Sequence, residues 1–109
     1  MKYLLLICEE AEPVQAAPEE CDPEPWVAEM EGRGVRKFGS RVRPAENATT
    51  VRVRDGELLV TDGPFAETKE QMAGFDVIEC ADLDEAVEVA AKHPMARLGM
   101  VEVRPFWTE

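Results

Sequence analysis

Ten consecutive residues, Asp62-Gly63-Pro64-Phe65-Ala66-Glu67-Thr68-Lys69-Glu70-Gln71, hold an aromatic ring, an amine and three carboxylates directly after a strand-like run. Gly63 can take backbone angles closed to other residues, while Pro64 fixes its own φ and pushes Gly63 away from the α region. The chain therefore turns a defined corner here, and the Asp62 carboxylate is placed to bond amides beyond it. Beside a cleft, partial burial of Asp62 would suit it to general acid or base work, so it is the candidate catalytic residue. Gly63, Pro64, Phe65, Glu67, Lys69 and Arg52 are the candidate ligand contacts, with Lys69 orienting a substrate anion or carbonyl. The competing reading is structural: Asp62 clasps the corner, Phe65 plugs a gap, and Glu67, Lys69 and Glu70 pair at the surface for about 0–1 kcal/mol each.

Other reactive side chains are scattered. Arg41, Arg43, Arg52 and Arg54 can line an anion site if the segment carrying them folds over a cleft, or can form a solvated face. The one histidine, His93, sits where a helix ends, a place that favours positive charge. Cys8, Cys21 and Cys80 are far apart and odd in number, which reads as reduced thiols rather than a disulfide set or a metal site. No metal and no cofactor are expected. Ser40 has no histidine placed by sequence to activate it, and Trp26 and Trp107 fit cores or interfaces.

With 109 residues the chain is a single domain spanning 1–109, and 45% hydrophobic content is ordinary for a folded protein. A net charge of −11 argues against nucleic acid, whose phosphates need a concentrated cationic surface. Charge is segregated: from Glu9 to Glu31 there is no Lys or Arg, whereas Arg33 to Arg54 holds seven cations against Glu46 alone. The apolar start, Tyr3 to Cys8, is shorter than a signal-peptide core, and no later run is long enough to cross a bilayer. A cytoplasmic protein without a membrane partner is expected.

Residues 2–8 suit a strand buried on both faces. Residues 9–25, with four prolines and seven carboxylates, read as a long, mobile, exposed loop. A short helix can start with Asp22 as N-cap and Pro23 in its first turn, burying Trp26, Val27 and Met30 and ending near Gly32 or Gly34. A strand over Val35 to Val42 follows, weakened by Gly39 and Ser40. Thr49 to Arg54, Asp55-Gly56 and Glu57 to Thr61 form a hairpin. After the corner come a strand over Ala73 to Cys80 and a helix from Leu83 to Lys92. Asp82 caps that helix, Glu85 completes a capping box, and Leu83, Ala86, Val87, Ala90 and Ala91 form the expected buried stripe. Pro94 stops it, and Leu98 to Arg104 is the last strand. The order β-α-β, hairpin, β-α-β predicts an α+β, ferredoxin-like split βαβ sandwich with an inserted β-hairpin. One sheet face is left open, to be covered by a second copy.

The chain resembles the YCII-related family, specifically its DGPF-domain branch. The resemblance rests on Tyr3-Leu4-Leu5-Leu6-Ile7, Thr49-Thr50-Val51-Arg52 with Asp55-Gly56, and Thr61 through Gln71. It continues through Asp82-Leu83-Asp84-Glu85-Ala86 and Val101-Glu102-Val103-Arg104-Pro105. It implies a dimeric α/β barrel and a small cytosolic protein, of a kind often encoded beside sigma factors of the extracytoplasmic-function type. A few relatives in the wider group act on small aromatic or lactone-like molecules, with a His–Asp pair suspected in catalysis. Here the single His lies at a helix end, and residues 9–25 stand where relatives have a longer first helix.

The first functional expectation is therefore a homodimer with a small-molecule pocket between sheet and corner, acting as a sensor or accessory protein. The alternative is a cofactor-independent isomerase, lyase or dehydrohalogenase-type enzyme using Asp62 as acid or base. A purely structural or protein-binding dimer, with the acidic 9–25 arm as its feature, is the third.

Overall fold

A computed structural model of the chain describes residues 1–10, 12, 14–66 and 70–108. Its strands and helices run β1 (Lys2–Glu9), α1 (Glu24–Gly32), β2 (Arg36–Arg41), β3 (Thr49–Arg54), β4 (Glu57–Asp62), β5 (Gln71–Glu79), α2 (Leu83–Ala91), α3 (Pro94–Leu98) and β6 (Met100–Pro105). Strands β2-β5-β1-β6 form one antiparallel sheet and β3-β4 a separate hairpin. Each β-α-β crossover spans an inserted strand: β5 lies between β1 and β2, and β1 between β5 and β6. The fold is α+β, consistent with the ferredoxin-like arrangement expected from the element order.

Alternation along the strands decides which face is covered. Tyr3, Leu5 and Ile7 of β1 share a face with Ile78 and Asp76 of β5, and all five are buried. Trp26 and Met30 of α1 and Ala86, Val89 and Ala90 of α2 close over them. Burying an aliphatic side chain of this size stabilises by about 1.5–3 kcal/mol, so Leu5, Met30, Ile78 and Val89, all fully enclosed, carry much of the core. The Trp26 indole donates to the Val89 carbonyl at 2.9 Å, locking α1 against α2 without leaving its N–H unpaired.

Local signals place the ends of the elements. Asp55 and Gly56 both have positive φ, 53° and 77°, the geometry of a two-residue hairpin turn whose twist matches its strands. Asp82 accepts from the Glu85 N–H at 2.9 Å, and Glu85 accepts in return from the Ala81 N–H at 3.1 Å. Asp22 accepts from the Glu24 N–H at 3.0 Å, one step outside α1, whose N-cap is Pro23.

Two expectations need correction, and a third gains detail. The inward side of α2 is Ala86, Val89 and Ala90, which pack into one cluster with Trp26, Met30 and Ile78, while Leu83 and Val87 are more than half exposed. His93 does not offer a positive charge to a helix end. It is buried and neutral, and it caps α3 by accepting the Met95 N–H on Nδ1 at 3.0 Å. The described residues between Glu9 and Pro25 are mostly exposed, as expected, but Ala16, Ala17 and Pro23 are half-buried, a turn of 3-10 helix forms at Pro18–Glu20, and Glu20 reaches Arg97 at 3.9 Å.

The hairpin stands apart. The radius of gyration is 15.9 Å, against about 13 Å for a compact chain of this length. Val51, Val53, Leu58 and Val60 share one hairpin face and are each more than half exposed.

Candidate functional site

A cleft of about 890 Å3 is walled by the end of β1, described residues between Glu10 and Glu24, the start of α1, β2, β5 and α3. That volume lies within the range of small-molecule sites. Ile7, Val14, Pro23, Val27, Met95 and Leu98 give it apolar walls, and Asp76, Arg36 and His93 supply polar groups.

Asp76 occupies an inward position of β5 and is 6% exposed. Arg36, on β2, donates from Nε to Asp76 Oδ1 at 2.7 Å, and its Nη1 lies 3.4 Å from Glu31 Oε1. The pair fits because residue 39 has no side chain. A Cβ there would overlap Asp76 Oδ1, stand 2.6 Å from the Phe75 carbonyl oxygen, and crowd Arg36 Nη2 at 2.8 Å. Gly39 thus leaves space for an ion pair in an otherwise apolar layer. Burial raises the Asp76 pKa, and the Arg36 hydrogen bond and charge pull it only part of the way back.

Asp76 Oδ2 has no hydrogen-bond partner among the described residues. Nor is any fully enclosed side-chain oxygen or nitrogen left unpaired among them. Oδ2 therefore reaches accessible space, and the space Asp76 lines is the cleft. The same argument applies to His93. It is 5% exposed, its ring lies edge-on to Trp26 at 4.8 Å between centroids, and its Nδ1 is occupied by the Met95 N–H. Burial pushes its pKa down to about 4, so at neutral pH the single ring proton resides on Nε2. The cleft thus meets one open acceptor and one open donor.

Comparison with known proteins identifies the family: the model of the YCII-related domain matches residues 1–108. The chain belongs to the YCII-related family. An uncharacterized protein of Rhizobium meliloti (strain 1021) is 50% identical over 68 residues, which cover 61% of this chain. The matched segment spans 55% of that relative's own length.

In this YCII-related chain the corner residues lie elsewhere. Asp62 ends β4, paired with Thr49 and exposed. Gly63 has φ 99°, donates to the Ala48 carbonyl at 2.7 Å and accepts from Thr50 Oγ1 at 2.8 Å, so backbone and a threonine hold the bend. Pro64 is half-buried, Phe65 is 81% exposed and Arg52 is exposed on the hairpin. Asp62, Gly63, Pro64, Phe65 and Arg52 do not line the cleft. Glu67 and Lys69 lie outside the described residues. Arg41 does line the cleft, with Ser40 beside it.

Asp76, Arg36 and Gly39 were missed by sequence reasoning, though a signal existed. In Gly74-Phe75-Asp76-Val77-Ile78 the carboxylate shares the parity of buried Ile78, and an acid on a core-facing position demands a partner.

Proposed function

We propose that this protein binds a small organic molecule in the cleft, acting as a sensor or accessory protein. The observation that carries this reading is Asp76: enclosed, held through one oxygen by Arg36, and open to the cleft through the other. An apolar pair of the same volume is often no less stable than a buried ion pair, so stability alone is a weak reason for a carboxylate at this position. Thermal-shift screening of a metabolite library tests it. A ligand at 100 times its Kd raises stability by about 2.7 kcal/mol, and Asp76→Asn should abolish the response. A broad library without a single hit contradicts the reading.

A second reading is a cofactor-independent enzyme of isomerase, lyase or dehydrohalogenase type. It is favoured by the opposite tuning of two residues that line one cleft, a carboxyl whose pKa burial raises and an imidazole kept neutral. Ionised Asp76 would remove a proton from carbon beside a carbonyl, the C–H bond breaking and the proton passing to Oδ2. The electron pair would move onto the carbonyl oxygen, which the His93 Nε2–H would stabilise. Sequence alone gave the acid–base role to Asp62, and Asp62→Asn is the matching comparison. Turnover lost in Asp62→Asn but kept in Asp76→Asn would return the role to the corner.

The corner sequence favours the DGPF branch within the family, and the cytoplasm is the proposed compartment; no described helix is long and apolar enough to cross a membrane. A homodimer is supported by the uncovered aliphatic hairpin face and by Phe38, 59% exposed on the sheet face away from the helices, stacked edge-on with Phe75. Charge segregation supports a second copy as the occupant, because the cationic 33–54 segment complements the acidic 9–31 segment. A dimeric α/β barrel, with the two open sheet faces meeting, is the proposed assembly.

A further inference from the structure

The mouth of the cleft has a charge that the binding reading leaves unused. Glu9, Glu10, Asp22 and Glu24 all line it, and none forms an ion pair with a described residue. The lining cations are Arg36, already engaged by Asp76 and Glu31, and Arg41. Among the described residues, four carboxylates without an ion-pair partner thus line the cleft beside one guanidinium without one, in a chain whose net charge is −11. Deeper in, Asp76 Oδ2 and His93 Nε2 belong to side chains that are 6% and 5% exposed, and both open onto the same cleft. An acceptor and a donor together match a neutral group that can both give and take a hydrogen bond, such as a hydroxyl or a carboxamide.

We propose that the cleft selects a cationic amine with an apolar body, its ammonium held at the acidic mouth and a neutral hydroxyl or carboxamide against Asp76 and His93. The inference rests on the small-molecule reading above and adds the charge of the ligand. An anion is disfavoured twice, by repulsion at the mouth and by the absence of a spare cation at the polar end, where Arg36 is committed. The 9–25 wall then has a role beyond covering the core: it concentrates negative potential over a low-dielectric concavity and draws cations in.

Three matched probes test this on the full chain: 4-hydroxybenzylamine, 4-hydroxybenzyl alcohol and 4-hydroxybenzoate, titrated by calorimetry at low salt and at high salt. The amine should bind about fivefold or more tightly than the alcohol, the ratio expected of one favourable exposed ion pair. That preference should shrink at high salt, and the benzoate should not bind. Combining Glu9→Gln, Glu10→Gln, Asp22→Asn and Glu24→Gln should bring the ratio of amine to alcohol affinity to about one. Arg41→Gln, a single exposed change, should increase it. Equal binding of amine and alcohol overturns the charge inference and leaves the binding site standing. Binding of none of the three, with other library compounds found by thermal shift, also overturns it; a failed library together with failed probes overturns both readings. A preference untouched by the mouth substitutions refutes its placement at Glu9, Glu10, Asp22 and Glu24.

Discussion

His93 offers a sharp test because it is the only histidine in the chain, so every imidazole signal belongs to it. Folding takes the ring from a pKa of 6.5 to about 4, through burial against Trp26. That corresponds to about 3 kcal/mol of preference for the neutral form. The folded-state value is depressed, so the unfolded chain binds the extra proton between those two limits. Stability tied to His93 is therefore fully present above pH 6.5 and is lost as pH falls toward 4. Integrating the linkage from pH 7 to pH 5 gives a loss of about 2 kcal/mol. The comparison protein is His93→Asn, since an asparagine side chain can still accept the Met95 N–H and cap α3. Urea unfolding of both proteins across this pH interval isolates the histidine, because the carboxylates common to both cancel in the difference. The offset at pH 7 reports lost packing on Trp26; the slope reports the titration. A difference that stays constant from pH 7 to pH 5 refutes the reasoning, as does an NMR titration of the ring in the folded protein with a midpoint near 6.5.

Four other outcomes are expected. Gly39→Ala should cost about 1–3 kcal/mol in chemical unfolding by forcing a methyl into the Arg36–Asp76 contact, and an unchanged midpoint would show that the strand yields freely. Trp26→Phe, which leaves the Val89 carbonyl without its indole donor, should cost about 1–2 kcal/mol; a loss below about 0.3 kcal/mol would show that water replaces the donor. Asp62→Asn, at an exposed strand end, should alter stability by less than about 0.5 kcal/mol, whereas a large loss would establish the clasp. Val53→Asp with Leu58→Asp should weaken self-association in sedimentation equilibrium, and a dimer of unchanged strength would remove the hairpin from the interface.

Where local chemistry dictated structure, the sequence was legible. Asp55-Gly56 specified its turn, Asp82 with Glu85 capped α2, and apolar alternation in β1 and β5 set the core face, because each depends on residues a few positions apart. Features set by distant neighbours were not. Periodicity alone ranks Leu83 above Ala86, but the side of α2 that joins Trp26, Met30 and Ile78 in the core is Ala86, Val89 and Ala90. A helix-end histidine suggests a cation until Trp26, 67 positions earlier, buries it. The cleft is the extreme case: Asp76 draws its partner from β2, its space from Gly39 and its outer wall from residues 9–25, none of them adjacent in sequence. The Asp62 corner attracted notice because its chemistry is concentrated in ten residues, while the cleft assembles the same kinds of groups from several separate segments.

The most direct test of the central claim is protein-observed NMR of the uniformly labelled chain, titrated with the best hits of the library screen. Perturbed amides clustered at Gly39, Ser40, Gly74, Asp76 and Met95, together with a shifted His93 ring resonance, are the result this account predicts. Perturbations confined to Asp62 through Ala66, with His93 and Asp76 unmoved, would contradict it.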